Sequence, residues 1–531
     1  MLDPSWLISL ISTIITSRDN GIEKGILYHS HLPKLWASYP KSLYPFLITL
    51  FNQIEILFTA KEPHPEKGVY SLIPSTFSTQ KLGAQSVFIP IDDFLALGLG
   101  VQLERIYQFD FLPFGFFSRL VVRLLHFTNP TYYWRTGLVC ESGENSGLVE
   151  FEMGRELSVK VRGKNPAKLL RVIVENIDLL LSGWYRNKAT VIVPFVSKGL
   201  HRVHIDYQFA LEELEEAAAF GKTEIDFKTG NETIPVRIDS IAPDLVMADI
   251  SEMLMKWEDM EVEKIIGQGA FGKVYSAVYK GNRVAVKQIE VEQNMKVEAY
   301  AEFRREVALC AELQNPAIVA LRGVCLDPWA LALEFMPHGD LYTFLNDHKN
   351  VITWKMRIRM AKNIAEAIRF LHSFQPKIIH RDLKSPNCLM ASVDPDAEYL
   401  VKVTDFGESR AVATSYTGRD RLHNPVWLAP EIMKKEQYTE KADVFSFGII
   451  MWELIGRAKP FSEYAVAQSD FTYQLEDAII EGLRPTVPEG MNCPPAYVAL
   501  MEACWDGDPK GRPQFESICK QIYRMEQTLP A

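Results

Sequence analysis

Cysteine is sparse in this sequence. Seven occur in 531 residues (Cys140, Cys310, Cys325, Cys388, Cys493, Cys504 and Cys519), with no C-x-x-C pair among them. That spacing signals neither a zinc site nor a disulfide framework, and it fits a reducing, cytoplasmic setting. A basic surplus is missing too. Lys and Arg number 57 against 67 Asp and Glu, for a net charge of −10, so nucleic acid is not an expected partner. Long apolar runs are also absent. The longest, residues 444–455, contains Ser446 and Glu453 and is too short to cross a bilayer, so no transmembrane segment is expected. The apolar start at residues 6–15 has no basic flank, which argues against a secretion signal. Asp3 as N-cap, Pro4 at the first helical position, and Leu7, Leu10, Ile11 and Ile14 at helical spacing predict an amphipathic helix instead. At 47% apolar and 23% charged residues, wholesale disorder is excluded, and the length predicts about three domains.

What the sequence does contain is His380-Arg381-Asp382-Leu383-Lys384-Ser385-Pro386-Asn387, which matches every specified position of the protein-kinase catalytic loop H-R-D-L-x-x-x-N. Upstream, Gly267-Gln268-Gly269-Ala270-Phe271-Gly272-Lys273-Val274 lies between two strand-like stretches, residues 262–266 and 275–279. Glycine is needed there because backbone amides must approach ATP phosphates closely. Alone, such a turn is weak evidence, but Val284-Ala285-Val286-Lys287 follows where a strand lysine must pair with the α and β phosphates. Its expected partner is Glu306, beside the apolar face marked by Val307, Cys310 and Leu313, with Glu302 one turn earlier as the alternative. Asp405-Phe406-Gly407 adds a carboxylate, so Asn387 and Asp405 are the candidate Mg²⁺ ligands. Ala429-Pro430-Glu431 closes the segment that follows, and Asp443-Val444-Phe445-Ser446-Phe447-Gly448 and Gly511-Arg512-Pro513 come in the expected order.

Each residue then has a role. Asp382 is the expected base for the substrate hydroxyl, and Lys384 is expected near the transferring phosphoryl group, which favours serine or threonine as acceptor. Ile266, Gly267, Gly269, Gly272, Val274 and Ala285 are expected to enclose ATP, with Glu334 and Met336 at a hinge holding adenine and Leu333 guarding the pocket behind it. Ser409, Thr414, Ser415, Tyr416 and Thr417 are candidate phosphorylation sites that would pair with Arg381. Cys388 reads as a packed structural thiol. Two other functions stay open: a pseudokinase scaffold, against which the retained Lys287, Glu306, Asp382, Asn387 and Asp405 argue, and a dual-specificity or tyrosine kinase.

About half the chain precedes the kinase motifs. Its markers are Gly25-Ile26-Leu27-Tyr28-His29-Ser30-His31-Leu32-Pro33-Lys34-Leu35-Trp36 with a helical pattern over residues 47–57, and a Pro/Gly turn at Pro113 and Gly115 opening a helix. Residues 133–140, 148–153 and 156–162 predict a meander of strands, and residues 169–184 a helix. Glu212, Glu213, Glu215 and Glu216 fit the solvated face of a helix ending at Gly221 better than a docking site. These stretches, with Trp134-Arg135-Thr136-Gly137 and Ile241-Ala242-Pro243-Asp244, resemble the COR (C-terminal of Roc) region of the Roco family, and the whole chain resembles the COR and kinase portion of a leucine-rich-repeat kinase. The extension at residues 393–398, between Asn387 and Asp405, fits that resemblance. His380 and Phe406, where some members carry tyrosine, point to the broader tyrosine-kinase-like group.

The resemblance implies a multidomain α+β chain: a COR region, helical in its first part and mixed α/β in its second, followed by a bilobal kinase. The expected boundaries are 1–105, 106–255 with a connector, and 262–525. It also implies ATP and Mg²⁺ as cofactors, protein substrates, a homodimer through COR, and a Roc GTPase as partner. No G-x-x-x-x-G-K-[ST] phosphate loop occurs in the sequence, so that GTPase is expected upstream of Met1 or lost. Regulation of the kinase by COR is the expectation, and a passive folding partner is its alternative.

Overall fold

The computed structural model describes residues 4–15, 22–60, 63–81, 88–89, 91–111, 115–152, 155–181, 189–195, 208–229, 232–269, 272–292, 295–374, 377–407, 409–412, 425–436, 439–464, 471–487 and 493–528. The chain divides into two compact units, Met1–Asp249 and Ile250–Ala531.

The first unit opens with the helix Pro4–Ile15, which buries Leu10 and Ile14 among Trp36, Leu47 and Phe51. Asp3, its expected cap, lies outside the described residues. A four-stranded sheet of short strands, in the order Ile22–Glu23, Ile26–Tyr28, Tyr70–Leu72 and Phe58–Thr59, joins the helices of this part. The helix expected over residues 47–57 runs instead from Tyr44 to Gln53, because Glu55 takes a left-handed φ of +57°. That conformation costs a side-chain-bearing residue about 1 kcal/mol or more. Glu55 holds it while buried, with Arg123 Nε donating to its Oε1 at 2.7 Å and the Arg119 guanidinium ion-paired with its Oε2 at 3.5 Å.

The second part is a seven-stranded antiparallel sheet in the order Gln208–Ala210, Thr190–Pro194, Val101–Gln108, Glu156–Gly163, Asn145–Glu152, Gly137–Ser142 and Asn129–Trp134. The helices Phe116–Phe127 and Ala167–Leu180 share its core through Leu120, Leu124, Leu170, Ile173 and Ile177. Residues 133–140, expected as one strand, turn at Arg135 and Thr136, with Trp134 paired to Gly137. A Cβ at Gly137 would lie 1.9 Å from the Trp134 ring, so the buried indole needs glycine opposite it. The helix expected to reach Trp184 is α-helical over Ala167–Leu180, Leu181 keeps helical torsions, and residues 182–184 lie outside those described. The helix Leu211–Ala219 buries Leu214, Ala217 and Ala218 and exposes Glu212, Glu213 and Glu216, while Gly221 follows at φ +74°.

The second unit begins with a six-stranded sheet in the order Leu254–Met255, Leu321–Leu326, Trp329–Glu334, Asn282–Ile289, Gly272–Tyr279 and Met260–Gly269, with the helix Lys296–Glu312 following its third sequential hairpin strand. A helical lobe follows, built on Trp354–Ser373, Lys441–Gly456, Pro495–Cys504 and Phe515–Thr528. Thr353 caps the first of these by accepting from Met356 N at 3.3 Å. Every residue of 442–455 is buried, so the run of sequence too short for a membrane is the central core helix. Among the described residues, no helix is long and apolar enough to cross a membrane.

The extension at residues 393–398 is pinned rather than loose. Arg359 Nη1 donates to Pro395 O at 2.6 Å and Ala397 O at 3.1 Å, and Lys355 pairs with Asp396 at 2.5 Å.

Candidate active site

The glycine turn is a hairpin whose last described pair is Gly269 with Gly272; Ala270 and Phe271 lie outside the described residues. Gly272 has φ +141°, and a Cβ there would stand 1.9 Å from Gln288 O, so its glycine is demanded by the fold itself. Gly267 differs. A Cβ there would make only an ordinary 3.6 Å contact with Val274, so packing does not require glycine, whereas close approach of a ligand to the backbone would. Val274 pairs with Lys287, and Ala285 pairs with Leu333, in the adjoining strands, which brings Val274, Ala285, Lys287 and Leu333 onto neighbouring rungs. Ile266, at a register shift in the first strand, is 44% exposed.

Glu334 closes the strand Trp329–Glu334, and Met336 follows it, half-buried. The Glu334 N–H donates to Ala320 O at 2.9 Å, so adenine would meet its carbonyl rather than its amide. Its carboxylate accepts from Lys402 Nζ at 2.7 and 2.9 Å, a tie from the hinge to the strand Val401–Val403 that leads into Asp405.

Lys287 Nζ donates to Glu306 Oε1 at 2.9 Å and to Asp405 Oδ1 at 3.1 Å. Glu302, the alternative, is exposed. Burial disfavours the Lys287 ammonium, but the two carboxylates outweigh it and raise its pKa. Burial likewise works against the charge on Asp405, yet Lys287, with smaller help from His380 and Lys384, holds its pKa below the ordinary value. The ion pairs therefore keep Lys287 and Asp405 charged where phosphate would bind.

The strands Cys388–Met390 and Val401–Val403 pair antiparallel, and Thr404 N donates to Asn387 O at 2.9 Å, which sets Asn387 beside the entry to Asp405. Asn387 Nδ2 donates to Asp382 O and Oδ2, each at 2.9 Å, and Lys384 Nζ donates to the same Oδ2 at 2.7 Å. Asp382, Lys384 and Asn387 thus form one hydrogen-bonded cluster.

Two residues of the site have backbones that L side chains rarely adopt: Arg381 at φ +70° and Asp405 at φ +65°. Asp443 holds the first. Its Oδ1 accepts from Arg381 N at 3.0 Å, and its Oδ2 accepts from His380 N and His372 Nε2, each at 2.9 Å. Burial pushes the Asp443 carboxyl up, but the bond from His372 and the nearby histidines outweigh it and lower its pKa. His380 Nε2 donates to Thr404 O at 3.1 Å, and the His380 and Phe406 rings lie 5.3 Å apart, which supports the second.

Sequence reasoning assigned no role to Asp443, although it opens a motif that was recognised, and it missed His372, Lys402 and Glu453. Among the phosphorylation candidates, Ser409 is 3% exposed and its Oγ donates to His380 O, so it is not presented for modification; Thr414, Ser415, Tyr416 and Thr417 lie outside the described residues. Cys388 is buried, which raises its thiol pKa and suits a packing role.

Residues 260–522 match the protein tyrosine and serine/threonine kinase family. Residues 100–244 match the COR-B domain, C-terminal of Roc, and residues 1–77 the COR-A domain. The chain is 36% identical, over all of its length and 17% of the relative's, to the probable serine/threonine-protein kinase pats1 of Dictyostelium discoideum. It is 47% identical to probable serine/threonine-protein kinase roco5 of the same organism, over 61% of this chain and 12% of that one. Against probable serine/threonine-protein kinase roco7, also from Dictyostelium discoideum, identity is 31% over 99% of this chain and 21% of the relative. The chain therefore spans about a fifth or less of the length of these relatives.

Proposed function

Because the chain belongs to the Roco family and carries its COR and protein-kinase portion, we propose that it transfers the γ-phosphoryl group of ATP to serine or threonine hydroxyls of protein substrates. The observation that carries this reading is Lys287 held by both Glu306 and Asp405 within 3.1 Å, one cation fixed between the helix glutamate and the candidate metal ligand.

The donor set suits the cofactors. Asp405 supplies a hard carboxylate oxygen, and the Asn387 amide nitrogen is committed to Asp382, which leaves its carbonyl oxygen as ligand. These two residues would hold Mg²⁺, which when bound neutralises charge on the β and γ phosphates. Lys287 would take the α and β phosphates, and Gly267, Gly269 and Gly272 would cover them. Ile266, Val274 and Ala285 would enclose the purine, with Glu334 and Met336 as the hinge.

Asp382 Oδ2 is occupied by Lys384 and Asn387, so Oδ1 is the oxygen that takes the hydroxyl proton as the acceptor oxygen bonds to phosphorus and ADP leaves. Lys384, fixed on that carboxylate, places its charge beside the transferring group, and this supports serine or threonine over tyrosine.

In the same reading the domains are 1–105, 106–255 and 262–525, the protein works in the cytoplasm, and the COR part dimerises and relays from a Roc GTPase. Asp405→Asn tests the metal assignment. With generic substrate and Mg-ATP, its transfer rate should fall by about 10²-fold or more against wild type. Equal rates would remove Asp405 from the metal site, and no transfer by wild type would leave the scaffold.

A further inference from the structure

The extension at residues 393–398 lies in sequence between the two candidate metal ligands, and one helix holds it. Its flanking strands, Cys388–Met390 and Val401–Val403, pair with Cys388 opposite Val403 and Met390 opposite Val401. Asn387 directly precedes the first strand, and Asp405 follows the second with only Thr404 between. The two ligands therefore leave the same end of one hairpin, where Thr404 N donates to Asn387 O at 2.9 Å. Its register sets their spacing. A slip of one residue would carry one ligand past the other by roughly 3.3 Å. A Mg²⁺ site, which holds its oxygens near about 2.1 Å in close to ideal geometry, would not tolerate that.

The hairpin does little to fix its own register. Each strand is three residues long, and the connection between them is no tight turn, so neither strand length nor turn type specifies the pairing. The helix Trp354–Ser373 supplies what the turn does not. Arg359 Nη1 donates to Pro395 O and Ala397 O, as described above, and one helical turn further on Asn363 takes the exit of the extension. Asn363 is 1% exposed; its Oδ1 accepts from Leu400 N at 2.9 Å and its Nδ2 donates to Glu398 O at 3.2 Å. A buried amide is costly unless both its groups are bonded, and here both are spent on the extension. Leu400 O in turn accepts from Ala391 N at 2.8 Å, so the residue that Asn363 holds also closes the hairpin. Arg359 has a second duty. Its Nε donates to Glu526 Oε1 at 3.3 Å, and Lys362 Nζ donates to Glu526 Oε2 at 2.8 Å, which ties the last helix to the same face.

We infer that Arg359 and Asn363 are positioning residues for the Mg²⁺ ligands: they fix the hairpin's register from its loop end and so hold Asn387 and Asp405 at the spacing a shared cation needs. The inference rests on the kinase reading above. Among the described residues, neither side chain bonds to Lys287, Glu306, Asp382 or Lys384. Nucleotide affinity in the absence of metal should not sense their loss.

The test titrates Mn²⁺, whose electron-spin resonance signal reports the free ion, into the full chain holding a non-hydrolysable ATP analogue. Wild type is compared with Arg359→Met, Arg359→Lys, Asn363→Ala and Glu526→Gln. Arg359→Met should weaken Mn²⁺ binding by about 10-fold, the low end of what loss of a group behind a metal ligand costs. Lysine keeps a donor for the extension carbonyls and should recover part of that loss, and Asn363→Ala should move in the same direction as Arg359→Met. Glu526→Gln weakens the ties to the last helix but leaves the extension bonds, so its Mn²⁺ affinity should stay within about twofold of wild type. Metal-free affinity for the analogue should likewise stay within about twofold in every variant. Peptide phosphorylation by Arg359→Met should need more Mg²⁺ for its half-maximal rate. Unchanged Mn²⁺ affinity in Arg359→Met would overturn the inference, as would a Glu526→Gln variant equally weak, which would place the effect in the packing of the last helix. If Arg359→Met does not fold, unchanged Mn²⁺ affinity in Asn363→Ala overturns it on its own. A wild type that binds analogue and Mn²⁺ but transfers no phosphate would sink the kinase reading instead, which keeps the two failures apart.

Discussion

Asp382→Asn should slow phosphate transfer by orders of magnitude while leaving nucleotide binding intact. The carboxylate is the only group in the loop's cluster that can take a proton: Lys384 and Asn387 donate to its Oδ2 at 2.7 and 2.9 Å, so the other oxygen would serve the acceptor. Asparagine keeps the size and one oxygen but loses the basicity, so the rate should fall by roughly 10²–10⁴-fold. ATP affinity should change little, because Lys287, Glu306 and Asp405 form an ion-paired group of their own. Single-turnover phosphorylation and nucleotide-analogue binding, measured on the same preparation, check both halves. A variant that still transfers phosphate at the wild-type rate would take Asp382 out of its role.

Arg512→Ala should unfold the helical lobe at a markedly lower temperature. Arg512 is 1% exposed and makes a two-pronged pair with the buried Glu431, and it also donates to Asp506 O at 2.8 Å and Lys441 O at 2.9 Å. Removing it strands a buried carboxylate and two carbonyls. That costs about 3–5 kcal/mol, because the charge left behind has no partner and no water. For a unit of this size the melting temperature should drop by roughly 10 °C, readable by calorimetry as a shift of the second unit's transition. Replacing both Arg512 and Glu431 with apolar residues should cost less than Arg512→Ala alone. A single variant that melts with the wild type would show that the pair is a spectator.

The candidate catalytic groups could be picked out in the sequence because phosphoryl transfer fixes both residue type and local spacing. Asp382, Lys384 and Asn387 lie within one loop, and Lys287 and Asp405 carry flanking residues that mark them. The Lys287 partner was legible as well, since Glu306 borders the apolar face of its helix and Glu302 does not.

What escaped was set by contacts distant in sequence. Glu453 meets Ser385 across 68 positions and Trp427 across 26, and nothing in the apolar run around it distinguishes a bridging carboxyl from a stray one. The end of the helix Tyr44–Gln53 was missed for the same reason: a left-handed Glu55 is stabilised by Arg123, 68 residues away. The strand break at Arg135 and Thr136 was missed although Arg135, Thr136 and Gly137 interrupt the apolar residues there, and the Trp134 ring lying over Gly137 accounts for the tight pairing across the turn. In the first unit, where no chemistry constrains residue type, periodicity located elements but not their ends.

The central claim is transfer to serine or threonine, and phosphoamino-acid analysis of a generic protein substrate phosphorylated by the wild-type chain with Mg-ATP tests it most directly. Phosphoserine and phosphothreonine, both lost in Asp382→Asn, are the predicted result. Phosphotyrosine alone, or no phosphate on any residue, would contradict it.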